Sequence, residues 1–408
     1  MTIEVTVIIP SFNRYPLNEL TLQALERQNF DMSKLEVILV DDASTDKTYR
    51  LTSFQAAYSF RYFRNSVNRG LAYTRNVGIR HAQGRVLIFL DAEMLVGPDY
   101  VAQHYRHHLD ADNKIVVGMY KRKVYSNLFP DFVESQWKEL RKLERGSNAV
   151  KQLLERRLEM ARDKTPLEQI VKAKKKRIPL IRRNDLAYAS RLERLSVPGR
   201  YSDFVLDQFG QDLSGIRLAW LSCLGSNHSA TTRIVRQIGG YCEDFVEWGE
   251  EDLEFAYRMH QAGAVYVLDQ DLIRYHQEHP PAAAKLTGGR GNWVLFQKKH
   301  PVLEVCIRSL ILLKMKDYRW MNDVVVEHDQ FVERFPIQFQ TFKASLIRML
   351  QAIPMLKLHK QPVTALLTAC GIVLDPVLSA QLEAELQLLR RLHFFPLHIE
   401  LYELLSGL

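Results

Sequence analysis

Apolar positions in the first 120 residues fall into short β-branched runs separated by amphipathic stretches. Val5 to Pro10, Leu35 to Asp41, Phe60 to Asn65, Arg85 to Asp91 and Ile115 to Met119 predict strands, with helices between them. Runs such as VTVIIP, LEVILVDD and RVLIFLD are apolar on both faces, as strands buried between two helical layers are. Repeated strand–helix units with right-handed crossovers predict an α/β domain built on an open, mostly parallel sheet. Its ligand crevice lies beyond the carboxyl ends of the strands.

From Asn127 to Arg200 the pattern turns charged and helix-favouring, with no strand candidate, and predicts a helical insertion. Strand and helix signals resume from Ile216 to Asp271. From about Asn292 the chain reads as helical, with Pro336, Pro354, Pro362, Pro376 and Pro396 expected to punctuate successive segments. The expected organisation is a catalytic domain over 1–285, carrying the insertion at 127–200, and a helical region over 286–408. The stripe in AQLEAELQLLRRLHFF suits core packing or a contact between two copies of the chain better than membrane insertion.

Charge sharpens this picture. The net charge is +8, yet Lys138 to Arg194 holds 18 Lys and Arg against 8 Asp and Glu, so the rest of the chain sums to −2. The basicity belongs to the insertion, which suits an anionic acceptor or an acidic membrane surface. Nucleic acid is disfavoured, because base stacking needs interleaved aromatics and Tyr188 is the one aromatic in that stretch. No run approaches the roughly 18–20 apolar residues of a spanning helix. Met1 leads directly into a strand-like segment, so the expected location is cytoplasmic, with peripheral contact at the inner membrane face through the insertion. Cys223, Cys242, Cys306 and Cys370 are widely spaced and read as reduced core residues.

Candidate chemistry gathers at the predicted strand ends: Pro10-Ser11-Phe12-Asn13-Arg14, Asp41-Asp42-Ala43-Ser44-Thr45-Asp46 and Asp91-Ala92-Glu93. Carboxylates accumulated there suit ribose hydroxyls, a base N–H and a metal. Ser44 to Asp46 also suit helix capping. The turn Asn65 to Ala72 opens on the same crevice, with Gly70 for a tight bend and Arg75 one helical turn in, able to reach a pyrophosphate. In Glu247-Trp248-Gly249-Glu250-Glu251-Asp252, two carboxylates at a helix start are held ionised by the dipole. Trp248 and Gly249 offer a flat face for a sugar ring. His276, after the strand-like AVYVLD, is a candidate metal ligand beside the carboxylates, whereas His104, His107 and His108 read as a solvated helix face.

Taken together, these motifs resemble family 2 glycosyltransferases of the GT-A fold. VTVIIPSFNR, VILVDDASTD, NRGLAYTRNVGI and VLIFLDAE stand in the family's order, and WGEEDLE looks like the WGxEDxE segment of chondroitin-type polymerases and of the galactosyltransferase carboxyl-terminal module. The resemblance spans roughly residues 3 to 125 and 215 to 282, leaving out the insertion and the C-terminal helices. It implies a Rossmann-like, mostly parallel sheet and a nucleotide-sugar donor, a UDP-sugar first among them. Pro10, Ser11, Asn13, Asp41, Asn68, Gly70, Arg75 and Asp91 would hold the nucleotide, with Trp248 and Gly249 at the sugar. Asp91, Glu93 and His276 would surround Mn²⁺ or Mg²⁺. Asp252, with Glu251 as the alternative, would be the base in an inverting transfer to the hydroxyl of a glycan or glycoconjugate. The family's usual Asp-x-Asp is Asp91-Ala92-Glu93 here, one methylene longer at its second carboxylate, which implies altered metal preference or spacing. A silent sugar-nucleotide-binding relative would not need Glu251, Asp252 and His276 intact.

Overall fold

The computed structural model describes residues 2–118, 121–158, 165–199, 208–223, 225, 227–281, 289–315 and 317–408. The predicted residues Met119, 159–164 and Arg200 fall outside them. The chain divides into two compact units: Met1–Asp203, Ser222–Val246 and Phe255–Lys285 form one, and Phe204–Leu221, Glu247–Glu254 and Leu286–Leu408 the other.

The first unit is α/β. Its strands are β1 (Val5–Ser11), β2 (Leu35–Asp41), β3 (Ser59–Arg64), β4 (Val86–Phe89), β5 (Met94–Val96), β6 (Lys114–Gly118), β7 (Lys121–Val124), β8 (Asn127–Leu128), β9 (Ile178–Pro179), β10 (Ser196–Pro198), β11 (His228–Thr231), β12 (Val265–Asp269) and β13 (Arg274–Gln277). Seven of them make the main sheet in the order β12-β6-β11-β4-β1-β2-β3. All run parallel except β11, which is antiparallel to both neighbours. Every residue of β1 and β2 is buried, as their two-sided apolar pattern requires. Helices α1 (Leu17–Leu25) and α2 (Leu71–His81) connect the first strands and α3 (Tyr100–Arg106) follows β5.

A second sheet, β10-β7-β13-β5, carries the chemistry described below. It and the β8–β9 pair place strands inside and beside a segment expected to be purely helical. Two- and three-residue strands leave too little alternation for the pattern to show. Around them the insertion forms α4 (Glu134–Gly146), α5 (Asn148–Leu158), α6 (Leu167–Lys174) and α7 (Ala189–Arg194). Trp137, Leu140, Val150, Leu154, Leu158 and Val171 bury one side of these helices. They share a cluster with Leu20 of α1, Leu95 of β5 and Tyr275 of β13. The basic segment is therefore packed through a shared apolar cluster onto α1, β5 and β13.

His104 and His108 correct the expectation of a solvated face. Both are buried, with His104 Nδ1 and His108 Nε2 each 2.8 Å from Ser229 Oγ, while His107 pairs with Asp269 at 2.8 Å. One hydroxyl on β11 bridges the two rings, donating to one and accepting from the other. Of the cysteines, Cys223 and Cys306 are buried, and Cys242 and Cys370 are half-buried.

The second unit is helical, with long helices over Tyr318–Arg334, Gln340–Leu358 and Pro376–Leu392, and a last one over Pro396–Ser406. Phe331, Phe342, Leu346, Met349, Leu386 and Leu401 fill its core. Pro376 and Pro396 open helices, where a missing N–H costs nothing. Pro354 was expected to end a segment but lies buried inside Gln340–Leu358, where core packing offsets the lost helical bond. Among the described residues no helix is long and apolar enough to cross a membrane.

Candidate active site

Parallel register brings the carboxyl ends of β1, β2 and β3 side by side, with Ser11 opposite Asp41 and Asp41 opposite Arg64. The loops that follow are tied by side chains. Asn13, at φ 53, accepts the backbone N–H of Thr45 at 2.7 Å and of Asp46 at 3.2 Å. Ser44 accepts from the Asn13 N–H at 2.9 Å, and Asp46 caps the turn after it through Thr48 at 2.9 Å, the capping role read for this stretch. Ser11 accepts from Asn18 at 3.1 Å. The Asp41 carboxylate is fully buried, taken up by the Tyr62 hydroxyl at 2.6 Å, the Arg64 guanidinium and the Ser44 N–H at 2.8 Å. Pro10, Ser11, Asn13 and Asp41 thus stand at one sheet end as expected, with the polar side chains knitting the loops.

Asp42, grouped by the sequence with the strand-end carboxylates that suit ribose hydroxyls, a base N–H or a metal, organises the next loop. Its carboxylate accepts from the backbone N–H groups of Arg69 and Gly70, both at 2.9 Å, and from Asn65 at 2.8 Å, while Asn68 reaches the Asp42 carbonyl at 3.4 Å. Gly70 has φ +86, and a β-carbon there would lie 2.3 Å from the Val246 carbonyl oxygen. Only glycine permits that approach. Arg75 is buried, over the Tyr241 ring at 5.0 Å and 3.3 Å from Asp91. Beside it Asn76 accepts from the Tyr241 N–H at 2.8 Å and donates to the Tyr241 carbonyl and to Glu243, each at 2.9 Å.

The second sheet brings together three side chains that could hold a cation. Strand β13 pairs with β5 so that His276 lies opposite Met94, and the Gln277 N–H donates to the Glu93 carbonyl at 2.9 Å. His276 Nε2 is then 3.9 Å, and His279 Nε2 3.6 Å, from the same Glu93 oxygen. His276 Nδ1 is 3.0 Å from a Glu278 carboxylate oxygen, and His279 Nδ1 is 2.9 Å from the Pro280 carbonyl. With both Nδ1 atoms held by acceptors, each Nε2 faces Glu93, able to donate to it when the ring is protonated and to offer a lone pair to a cation when it is neutral. Two imidazole nitrogens and a carboxylate, with their other ring nitrogens anchored, suit a divalent transition ion. Burial by itself would raise the Glu93 carboxyl, but Arg14 at 3.1 Å, together with His279 and His276, outweighs it and holds the group ionised well below the usual carboxylate range. Glu93 and His276 were expected here. His279 joins them in this group, while Asp91, also expected at the metal, lies 3.3 Å from Arg75. The His-x-x-His spacing at the end of β13 was the available signal.

In the helical unit, Trp248 to Glu254 forms a constrained turn. Gly249 and Glu250 have φ of +110 and +70. Asn292 donates to the carbonyls of Glu247 at 2.9 Å and Gly249 at 2.7 Å, and Glu250 pairs with buried Arg308 at 2.8 Å. Neither Asn292 nor Arg308 was marked by the sequence. Glu251 accepts from the Gly249 N–H at 2.7 Å, a capping role at the start of the helix Glu251–Gln261. Asp252 sits beside it in the first turn, and Trp248 is 51% exposed, as a stacking surface must be.

Comparison with known proteins identifies the family. The Glycosyl transferase family 2 model matches residues 6–155, and that for the N-terminal domain of galactosyltransferase matches residues 209–277. An uncharacterized glycosyltransferase of Bacillus subtilis, YfnE, is 31% identical over 70% of this chain and 68% of its own. The validoxylamine A glucosyltransferase of Streptomyces hygroscopicus subsp. jinggangensis is 27% identical over 73% of this chain and 61% of its own. The crystal structure of S. aureus TarS 1-349 in complex with UDP covers 99% of this chain and 90% of that one, at 13% identity and a TM-score of 0.48, too distant for residue correspondences. The protein is a glycosyltransferase. It belongs to glycosyl transferase family 2.

Proposed function

We propose that this enzyme transfers a sugar from a nucleotide-sugar, a UDP-sugar in the first instance, to an acceptor hydroxyl in glycan or glycoconjugate synthesis, with inversion and with a divalent cation. The observation that carries the metal is the convergence of His276 and His279 on Glu93. Those three residues would hold the ion, and their two nitrogens favour Mn²⁺ over Mg²⁺. When bound, it supplies charge that neutralises a diphosphate leaving group. Asp252 accepts the acceptor's proton as the hydroxyl oxygen bonds to the anomeric carbon and the bond to the diphosphate breaks on the opposite face. Glu251, spent on its cap, is the weaker candidate base. Residues 1–285 form the transferase part in this reading and 286–408 an accessory helical region; the boundary lies outside the described residues. The names of the relatives, a glucosyltransferase and, at 23% identity, the chondroitin synthase of Escherichia coli, support a carbohydrate product.

The test is nucleotide release from a panel of UDP-, dTDP- and GDP-sugars with candidate glycan acceptors, with and without EDTA. We expect UDP release that EDTA abolishes and Mn²⁺ restores best. Full turnover in chelator would remove the metal from the reading, and release from GDP-sugars alone would remove the UDP donor.

A further inference from the structure

The insertion contains a cleft of about 430 Å³, within the size range of small-molecule sites. Arg156 and Arg157 on α5 and Arg191 and Arg194 on α7 line it together with one carboxylate, Asp185. That carboxylate is already committed. It pairs with Arg157 at 3.5 Å and with Arg191, and accepts from the Arg182 N–H at 2.9 Å. Arg156, Arg191 and Arg194 are exposed at the rim, while Arg157 is half-buried. Burial first, then the charge of Arg182, with smaller contributions from Arg156 and Arg191, pulls the Arg157 guanidinium below its usual range against the opposing charge of Asp185.

Two features separate this cleft from a merely basic surface. The helices that present the guanidiniums are fixed by Val150, Leu154, Leu158 and Leu192 in the insertion's core, so the backbone positions that carry the charges are held together. The lining cations are also all arginines, whereas Lys172, Lys174, Lys175 and Lys176 stand outside it. A planar guanidinium binds phosphate through two parallel N–H bonds, which an ammonium cannot do.

We infer that this cleft binds a phosphate or diphosphate group, carried by a soluble acceptor or presented by a lipid headgroup. Its link to an acceptor rests on the transferase reading above; the binding of phosphate does not.

The test uses the full chain in EDTA, which keeps diphosphate from being held through a metal at Glu93. Pyrophosphate binding is measured by calorimetry, and flotation is measured with phosphatidylcholine vesicles with and without phosphatidic acid. The variant Arg156→Gln/Arg194→Gln removes two rim charges, and Lys175→Gln/Lys176→Gln removes the same charge from exposed positions outside the cleft. The arginine variant should bind pyrophosphate about tenfold more weakly or worse, while the lysine variant changes less than about twofold. Flotation that needs phosphatidic acid and is lost with the arginines identifies a headgroup. Pyrophosphate binding lost with the arginines, without flotation, identifies a soluble phosphate. Equal weakening by both variants, or no binding of either probe by the unaltered chain, overturns the inference. Absence of UDP-sugar turnover with arginine-dependent pyrophosphate binding intact would sink the transferase reading and leave this one standing.

Discussion

The Gln277 N–H donates to the Glu93 carbonyl across 2.9 Å, next to the pairing of His276 with Met94. Backbone ladder bonds, and not side-chain contacts alone, therefore set the separation of Glu93 from the two imidazoles. Only His276 lies on a strand; Glu93 and His279 stand just beyond strand ends, one residue before β5 and two after β13.

Glu278 should tune the metal without touching it. It accepts from His276 Nδ1 and also from Gln136 at 3.2 Å. Glu278→Ala should weaken Mn²⁺ binding about 10–100-fold, the usual effect of losing an outer partner of a ligating histidine. Glu278→Gln, which keeps an acceptor, should recover most of it. Equal Kd values for Mn²⁺ in all three proteins, measured by calorimetry, would show that Glu278 does not orient the ring.

Asp252→Asn should lower kcat by about 10²–10⁴-fold, as removal of a general base does. UDP affinity and melting temperature should stay near those of the unaltered enzyme. Glu251→Gln should behave differently, losing about 1 kcal/mol of stability through its weakened cap on Gly249 while retaining most turnover. A reversal of these two phenotypes would make Glu251 the base.

Gly70→Ala should be severe. The residue needs φ +86, and its new methyl would lie 2.3 Å from a backbone oxygen of Val246. Strain and overpacking together should cost at least about 2 kcal/mol. Thermal unfolding reads this directly, and an unchanged midpoint would mean that the two segments separate easily.

Stability should fall on mild acidification. Burial pushes His104 and His228 down to about 3 and His108 to about 4, so all three are neutral when folded. Unfolded histidine titrates near about 6.5. Above that pH neither state is charged and the full stability is present. As pH falls below it, only the unfolded chain gains protons, removing up to about 1.4 kcal/mol per pH unit for each group until the folded rings titrate too. A melting temperature that stayed level from about pH 7 to about pH 5 would contradict this burial.

Much of the main sheet was legible because β1, β2 and β4 are apolar on both faces and bounded by polar strand ends. The second sheet was not, since β5, β7 and β10 are three or four residues long and pair across the chain. Glu93 and His276 were readable as chemistry. His279 was overlooked because its approach to Glu93 depends on the β13–β5 register. The buried state of His104 and His108 was equally hidden, because their shared partner, Ser229, lies more than 120 residues away. Asp41 illustrates the opposite limit: its position at a strand end was clear, but its burial under Tyr62 and Arg64 comes from the neighbouring strand.

Strand β13 lies between β5 and β7, and β7 is in turn covered by β10 at the far end of the insertion. Anyone trimming this enzyme to a minimal catalyst by excising residues 127–200 would therefore strip the partner from β7 and leave a raw sheet edge next to the histidine pair. Such an edge recruits other chains and aggregates. A workable truncation must keep β10, or cap β7 with a charged or proline-bearing substitute, so a segment that carries none of the strand-end carboxylates still cannot be deleted outright.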